Sequence, residues 1–201
     1  MRFLALGDSY TIGESVPPPE RWPVQLAGRL REAGVPMENP LIIATTGWTT
    51  DELADGITRR DPQGPFELVS LLIGVNNQYR GRGVDEYRAQ FAALLEQAIA
   101  LAGGDPRRVL VLSIPDWSVT PFAADRQRTS VAAAIDQFNA VNAAETARRG
   151  ARYVDITPTS RQAAADPTLI TEDGLHPSGK MYSAWTELVL PEALEAVGQS
   201  G

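Results

Sequence analysis

The sequence predicts an α/β fold in which a mostly parallel, five-stranded sheet lies between two layers of helices. Two observations lead to this prediction. Five short runs rich in Leu, Ile and Val recur along the chain, and each has the length of a buried strand. Segments with helical spacing of apolar residues separate these runs, which is typical of parallel strands joined by crossover helices. We therefore expect a three-layer α/β/α sandwich that forms a single domain over residues 1–201.

The predicted strands are apolar throughout, as expected for a parallel sheet that is covered by helices on both faces. They cover residues 2–6, 41–45, 68–73, 109–114 and 153–156.

The predicted helices carry apolar residues three or four positions apart. Thr49 followed by Glu52 indicates a capping box at one helix start, and Pro23 fits the first turn of another. Gly34 and the glycine pair 103–104 mark helix ends. The helical segments cover residues 22–30, 53–57, 87–98 and 131–142, and a last helix begins near residue 178.

The composition disfavours some classes of function and excludes others. Lys plus Arg number 18 against 25 Asp plus Glu, and the resulting net charge of −7 repels nucleic acid and anionic membrane surfaces. The absence of cysteine excludes thiolate nucleophiles, iron–sulfur clusters and zinc sites that use cysteine. A single histidine excludes metal sites with several imidazoles. We expect small-molecule partners and neither metal nor cofactor, while the oligomeric state stays open.

The N-terminus predicts a cytoplasmic protein. Only the apolar residues 3–6 precede Gly7 and Asp8, whereas the apolar core of a signal peptide has about 7–15 residues. The sequence also contains no apolar stretch of the length that spans a bilayer.

Polar residues and glycines follow several of the predicted strands. Residues 7–10 come after the first strand, 46–48 after the second and 74–77 after the third, and residues 173–176 lie in a loop beyond the fifth. Ligands bind beyond the carboxyl ends of the strands in open α/β sheets, so these segments are expected to converge on one crevice.

The residue types in this crevice fit nucleophilic acyl transfer. The hydroxyl of Ser9 needs a base to become a nucleophile, and His176 is the only imidazole in the chain. Asp173, three residues before it, can hold that imidazole in the required tautomer. The backbone N–H groups of Ser9 and Gly47 and the amide of Asn76 can stabilise an oxyanion.

Each of these features also has a structural explanation when it is taken alone. Ser9 and Asp173 are residue types that cap helices, Gly47 can relieve a turn, and Asn76 can bond its own loop. Their joint occurrence at the ends of different strands favours catalysis.

The four segments resemble the sequence blocks of the SGNH or GDSL hydrolases, in the order found in that family. The resemblance implies a flavodoxin-like α/β/α fold with five parallel strands. It also implies a Ser9 nucleophile, a His176 base oriented by Asp173, and an oxyanion hole formed by Ser9, Gly47 and Asn76. The expected reaction is hydrolysis of an ester or thioester without metal or cofactor.

Two positions depart from the pattern of the family. Tyr10 stands where the family often has Leu or Ile, and Asn77 where it commonly has Asp. Neither position carries a proposed chemical group, so the departures bear on the substrate. The chain lacks the Gly-x-Ser-x-Gly elbow of the other large class of α/β serine hydrolases.

Aromatic and charged residues near the strand ends are candidates for substrate binding. The alternative for the aromatic residues is packing of their own loops. Arg80 and Arg82 could bind an anionic substrate group, which predicts a preference for negatively charged acyl groups; a solvated loop is the alternative. The substrate-binding candidates are Tyr10, Trp48, Tyr79, Arg80, Asp116 and Trp117, with Phe122 as a further wall residue.

Two other classes of function compete with the hydrolase. One is a non-catalytic binding module of the same fold, which would not react with a fluorophosphonate at Ser9. The other is a flavodoxin-like protein whose loop 9–15 cradles a flavin phosphate, although Asp8 and Glu14 would repel that phosphate. A colourless preparation would exclude the flavin protein.

Overall fold

Five parallel strands form the central sheet in the computed structural model, which describes residues 1–124 and 126–198. The sheet order is β2-β1-β3-β4-β5, which confirms the predicted parallel α/β architecture. Each strand lies within two residues of its predicted bounds. β5 ends earlier than predicted because Ile156 already precedes a short helix. The strands are β1 (Phe3–Gly7), β2 (Leu41–Ala44), β3 (Leu68–Leu72), β4 (Val109–Leu112) and β5 (Arg152–Val154).

The helices include the five that the sequence predicts and three short ones that it does not. The capping box of Thr49 and Glu52 is present, and Pro23 lies in the first turn of its helix. A segment of four or five residues is too short to show helical periodicity, which explains the three omissions. The helices are α1 (Ser9–Ile12), α2 (Trp22–Glu32), α3 (Thr50–Arg60), α4 (Val75–Tyr79), α5 (Val84–Leu101), α6 (Arg128–Arg149), α7 (Thr157–Ser160) and α8 (Gly179–Gly198).

The helices pack as two groups around a buried sheet. α2 packs on α8, while α3 and α6 pack on either side of α5. Every residue of β1, β3 and β4 is buried, whereas the edge strand β2 exposes part of Leu41. Within residues 1–124 and 126–198, no helix combines the length and the apolar character that crossing a membrane requires.

The strand order determines where the site lies. β1 is flanked by β2 on one side and β3 on the other, so the segments after these three strands are neighbours. In this topology the crevice opens between β1 and β3. The loop before α8 joins this crevice, and an antiparallel bridge between Ile170 and Pro177 closes that loop at its base.

Gly7, at the end of β1, allows the segment that contains Ser9 to pack directly on β3. A Cβ atom at this position would lie 2.5 Å from the carbonyl oxygen of Leu72 and would overlap the hydroxyl of Thr11. Because the carbonyl belongs to a sheet strand, it cannot move aside easily.

We expect Gly7→Ala to lower the free energy of unfolding by about 1–3 kcal/mol, the usual cost of overpacking a core. Urea denaturation measures this change. The control is Gly28→Ala on α2, whose methyl group would meet only Arg31 Nη2, at 3.9 Å, and which we expect to be neutral or stabilising. An unchanged midpoint for Gly7→Ala would contradict the close packing at this strand end.

Candidate active site

Ser9 is the first residue of α1, and one residue, Asp8, separates it from the end of β1. The preceding Asp8 caps this short helix, with its Oδ1 accepting a hydrogen bond of 3.0 Å from the N–H of Tyr10. The carbonyl of Ser9 accepts hydrogen bonds of 3.0 Å from the N–H groups of Gly13 and Glu14. The backbone around Ser9 is therefore fixed, and its side chain lines a cavity at the sheet edge.

His176 and Asp173 face each other within the loop before α8. The distance between His176 Nδ1 and Asp173 Oδ2 is 2.7 Å. With Nδ1 engaged in this way, Nε2 is the ring nitrogen left for another partner. His176 lines the same cavity as Ser9, but the structure has no hydrogen bond between these two described residues.

The carboxylate of Asp173 is surrounded by hydrogen-bond donors. Its Oδ1 accepts from the N–H groups of Leu175 and His176, at 2.8 and 2.9 Å, and from the hydroxyl of Thr171 at 2.8 Å. Its Oδ2 accepts from the hydroxyl of Ser15 at 2.7 Å. Partial burial acts to raise the pKa of Asp173, but the hydrogen bonds outweigh it and hold that pKa well below its usual range. The group is therefore ionised at neutral pH.

Gly47 and Asn76 bring hydrogen-bond donors to the cavity from neighbouring loops. Gly47 adopts a φ of +86°, in the left-handed region that favours glycine. Asn76 Nδ2 donates a hydrogen bond of 2.9 Å to the carbonyl of Trp48, which orients the amide and leaves its second N–H available. In the described part of the chain, the N–H groups of Ser9 and Gly47 have no acceptor.

Asn77, the neighbour of Asn76, has a structural position. It is fully buried, and its Oδ1 accepts from the N–H of Thr50 at 3.1 Å while its Nδ2 donates to the Thr50 hydroxyl at 2.7 Å. The Thr50 hydroxyl donates its one hydrogen to Gln90 Oε1. It can therefore only accept a hydrogen bond from residue 77, which must supply an N–H donor. An ionised Asp could not supply one, which explains an amide at this position.

The cavity has a volume of about 170 Å³ and mostly apolar walls. Tyr79, Trp117 and Phe122 form a cluster on one side, with ring centroids 5.6 to 6.2 Å apart. Tyr79 and Phe122 are 47% and 41% exposed and form the mouth, whereas Tyr10 is buried with its ring 5.9 Å from that of His176. The walls beyond the polar candidates include Tyr10, Val75, Tyr79, Trp117, Phe122 and Leu175.

The structure does not bring Arg80 and Arg82 to the cavity wall. Arg80 donates to the carbonyl of Gly47 at 2.6 Å and lies 3.3 Å from a carboxylate oxygen of Glu52. Arg82 lies 2.6 Å from a carboxylate oxygen of Asp51. Their guanidinium groups thus hold the start of α3 against the segment after α4, and the expectation that they bind substrate lacks its geometric basis.

Trp48 and Asp116 also lie outside the wall of this cavity. The indole of Trp48 packs on Gly56 of α3, where a Cβ atom would come within 2.6 Å of the ring. Asp116 is buried, accepts from the N–H of Ser118 at 2.9 Å and pairs with Arg161 at 2.8 Å. Both side chains have structural partners.

Several residues that shape the site are not among the candidates predicted from the sequence. Val75, Leu175 and Thr46 lie inside the segments predicted to form the crevice, so the sequence indicated where they would lie. Ser15 lies in loop 9–15, but its contact with Asp173 was not predictable, because the two residues are 158 positions apart in the chain.

Asp8 carries an unusual charge environment beside Ser9. Its side chain is 1% exposed, and its Oδ2 finds no hydrogen-bond partner among the described residues. Burial raises the pKa of Asp8 to about 7, against the opposing hydrogen bond from the N–H of Tyr10.

Comparison with known proteins identifies the family. The model of the GDSL-like lipase/acylhydrolase family matches residues 5–184. The chain belongs to this family. It is therefore an esterase/lipase-type hydrolase that acts on ester bonds, and not the flavodoxin-like flavin protein that the sequence left open. A search of curated proteins finds no significant match.

Solved structures of GDSL-family and other esterases share the fold. TesA aligns with a TM-score of 0.75 and 20% identity over 98% of this chain and 99% of its own. The esterase EstA from Pseudoalteromonas sp. aligns with a TM-score of 0.70 and 15% identity, over 98% of this chain and 99% of its own. A variant of Axe2, an acetyl xylan esterase from Geobacillus stearothermophilus, aligns with a TM-score of 0.70 and 18% identity, over 96% of this chain and 94% of its own. At these identities the likeness confirms the SGNH hydrolase fold.

We expect Asp8→Asn to reduce the pH dependence of stability. Unfolded Asp8 releases its proton near pH 3.8, whereas the folded group holds it to about pH 7. Between these values the folded state binds more protons, so the free energy of unfolding falls as the pH rises. Asp8→Asn has no such titrating group. Its free energy of unfolding should therefore rise relative to that of the wild type between pH 5 and pH 8.

Urea denaturation at pH 5 and pH 8 measures this difference. Asp55→Asn, which removes an exposed carboxylate on α3, is the control and should keep the pH dependence of the wild type. If Asp8→Asn also keeps it, Asp8 is ionised in the folded protein at neutral pH.

Proposed function

We propose that the protein hydrolyses esters or thioesters of short, uncharged acyl groups through a triad of Ser9, His176 and Asp173. The observation that carries this proposal is the 2.7 Å pair of His176 and Asp173 beside a cavity that also contains Ser9. The family of the chain supports the same chemistry.

The first step is acylation of Ser9. His176 takes the proton of the Ser9 hydroxyl at Nε2 as the oxygen attacks the carbonyl carbon of the ester. Asp173 accepts the hydrogen bond from Nδ1, which keeps the ring in the required tautomer and stabilises the imidazolium that forms.

The tetrahedral intermediate then collapses to the acyl-enzyme. The N–H groups of Ser9 and Gly47 and the amide of Asn76 stabilise its oxyanion. The imidazolium gives its proton to the leaving alcohol or thiol as the bond to the carbonyl carbon breaks. Water then attacks the acyl group with His176 as the base, which releases the acid and restores Ser9.

The size and lining of the cavity support short acyl groups. An apolar cavity of about 150 Å³ holds a molecule the size of benzene. The cavity beside Ser9, at about 170 Å³, therefore has space for roughly six non-hydrogen atoms. Axe2, one of the structural neighbours, is an acetyl xylan esterase, which is consistent with a short acyl group.

The charges around the cavity support an uncharged acyl group. Among the described lining residues, His176 is the only ionisable group besides tyrosine. Arg80 and Arg82, the candidates for binding an anion, are paired with carboxylates of α3.

The decisive experiment is hydrolysis of p-nitrophenyl esters from acetate to palmitate by the wild type and Ser9→Ala. We expect kcat/KM to be highest for acyl chains of about two to six carbons. Ser9→Ala should lower it by at least about 10³-fold, because the nucleophile is lost. A maximum at palmitate would contradict the short acyl pocket, and an active Ser9→Ala variant would exclude Ser9 as the nucleophile.

Asn76→Ala should lower kcat by roughly 10²–10³ while the protein stays folded, because an oxyanion donor acts mainly in the transition state. Steady-state kinetics and urea denaturation measure the two effects. The neighbouring Asn77→Ala is the matched control and should chiefly lower stability, since that amide bonds Thr50. A fall in kcat of less than threefold would remove Asn76 from the oxyanion hole.

A further inference from the structure

The turn at residues 13–16 contacts three parts of the proposed site at once. The N–H groups of Gly13 and Glu14 bond the carbonyl of Ser9 at 3.0 Å. The carboxylate of Glu14 accepts from the hydroxyl of Thr46, next to Gly47. The hydroxyl of Ser15 donates to Asp173 Oδ2 at 2.7 Å.

The backbone conformation of Ser15 is unusual for a residue with a side chain. Its φ is +65°, in the left-handed region, where glycine is favoured over other residues. Gly13, two residues earlier, adopts a similar φ of +70° as a glycine. A glycine at position 15 would relieve this strain but could not supply a hydroxyl. Strained residues of this kind persist where the surroundings impose the conformation, and they cluster at active sites.

We propose that Ser15 is a positioning residue for Asp173, an inference that rests on the proposed triad. The three donors to Asp173 Oδ1 all come from its own loop, from Thr171, Leu175 and His176. Oδ2 bonds His176 Nδ1 and Ser15, and Ser15 is the donor that comes from the segment carrying the nucleophile.

The Ser15 hydrogen bond has two physical consequences. It fixes the plane of the carboxylate about its Oδ1 anchor, so that Oδ2 faces the imidazole. It also ties the loop of His176 to the turn that holds the carbonyl of Ser9, which sets the separation of the base and the nucleophile. In addition, the Ser15 hydroxyl donates to the same negatively charged Oδ2 that the imidazolium bonds. The imidazolium therefore interacts with less of that charge than it would without Ser15.

Ser15→Gly separates this role from a structural one. Glycine removes the hydroxyl but adopts the left-handed conformation freely, so the relief of backbone strain offsets the lost hydrogen bond and the melting temperature should change little. We expect kcat to fall about 10-fold, which corresponds to the loss of one hydrogen bond to a charged group, with KM within threefold of the wild type. Ser15→Thr keeps the hydroxyl and should recover most of kcat despite a lower melting temperature.

The matched control is Ser178→Ala. The hydroxyl of Ser178 donates to the carbonyl of Thr168 at 2.8 Å and so holds the base of the same loop without touching Asp173. We expect its kcat to stay within threefold of the wild type.

NMR of His176 gives a readout that does not depend on activity. His176 is the only histidine, so its ring-proton signals are unambiguous. In Ser15→Gly the signal of the proton on Nδ1 should move downfield, because Oδ2 then has His176 as its one remaining donor and the hydrogen bond between them strengthens. The other charged groups of the nucleophile segment, Asp8 and Glu14, are the same in both proteins.

The outcomes separate this inference from the proposed function. A wild-type kcat in Ser15→Gly, or an unchanged signal of the His176 Nδ1 proton, would overturn the role of Ser15. If Ser9→Ala stays active, the triad is wrong, and the Nδ1 proton signal still decides whether Ser15 acts on Asp173 and His176.

Discussion

The parallel direction of β1, β2 and β3 is the constraint on which the rest of the site depends. Their carboxyl ends meet at one edge, so Ser9, Gly47 and Asn76 reach the same cavity although they lie in separate parts of the chain. The remaining elements serve this edge. α8 packs on α2 and the bridge between Ile170 and Pro177 closes its preceding loop, which brings His176 to the crevice.

Asp173 shows how an accessible carboxylate can be held in one orientation. Hydrogen bonds from its own loop fix one oxygen, and the other faces His176 and Ser15. Asp8 is the opposite case, because it is buried with one oxygen that has no partner among the described residues. The environments of these two carboxyl groups move their pKa values in opposite directions.

Charge and size shape the entrance to the cavity in different ways. Arg80 and Arg82 lie close in sequence to Asn76, but they pair with carboxylates of α3 and do not line the cavity. The aromatic rings of Tyr79, Trp117 and Phe122 then form an apolar mouth. The proposed preference for small, uncharged acyl groups therefore rests on the packing of this mouth and not on the composition of the chain.

The sequence by itself determined the parallel α/β fold, the family and the segments that form the crevice. This was possible because strand periodicity and the short polar blocks, such as those containing Ser9 and Asn76, are local patterns. Only the tertiary structure decided that Trp48, Arg80 and Asp116 bond or pack elsewhere, since their partners lie on other elements. The contact of Ser15 with Asp173 is of the same kind, because it joins residues that the fold alone brings together.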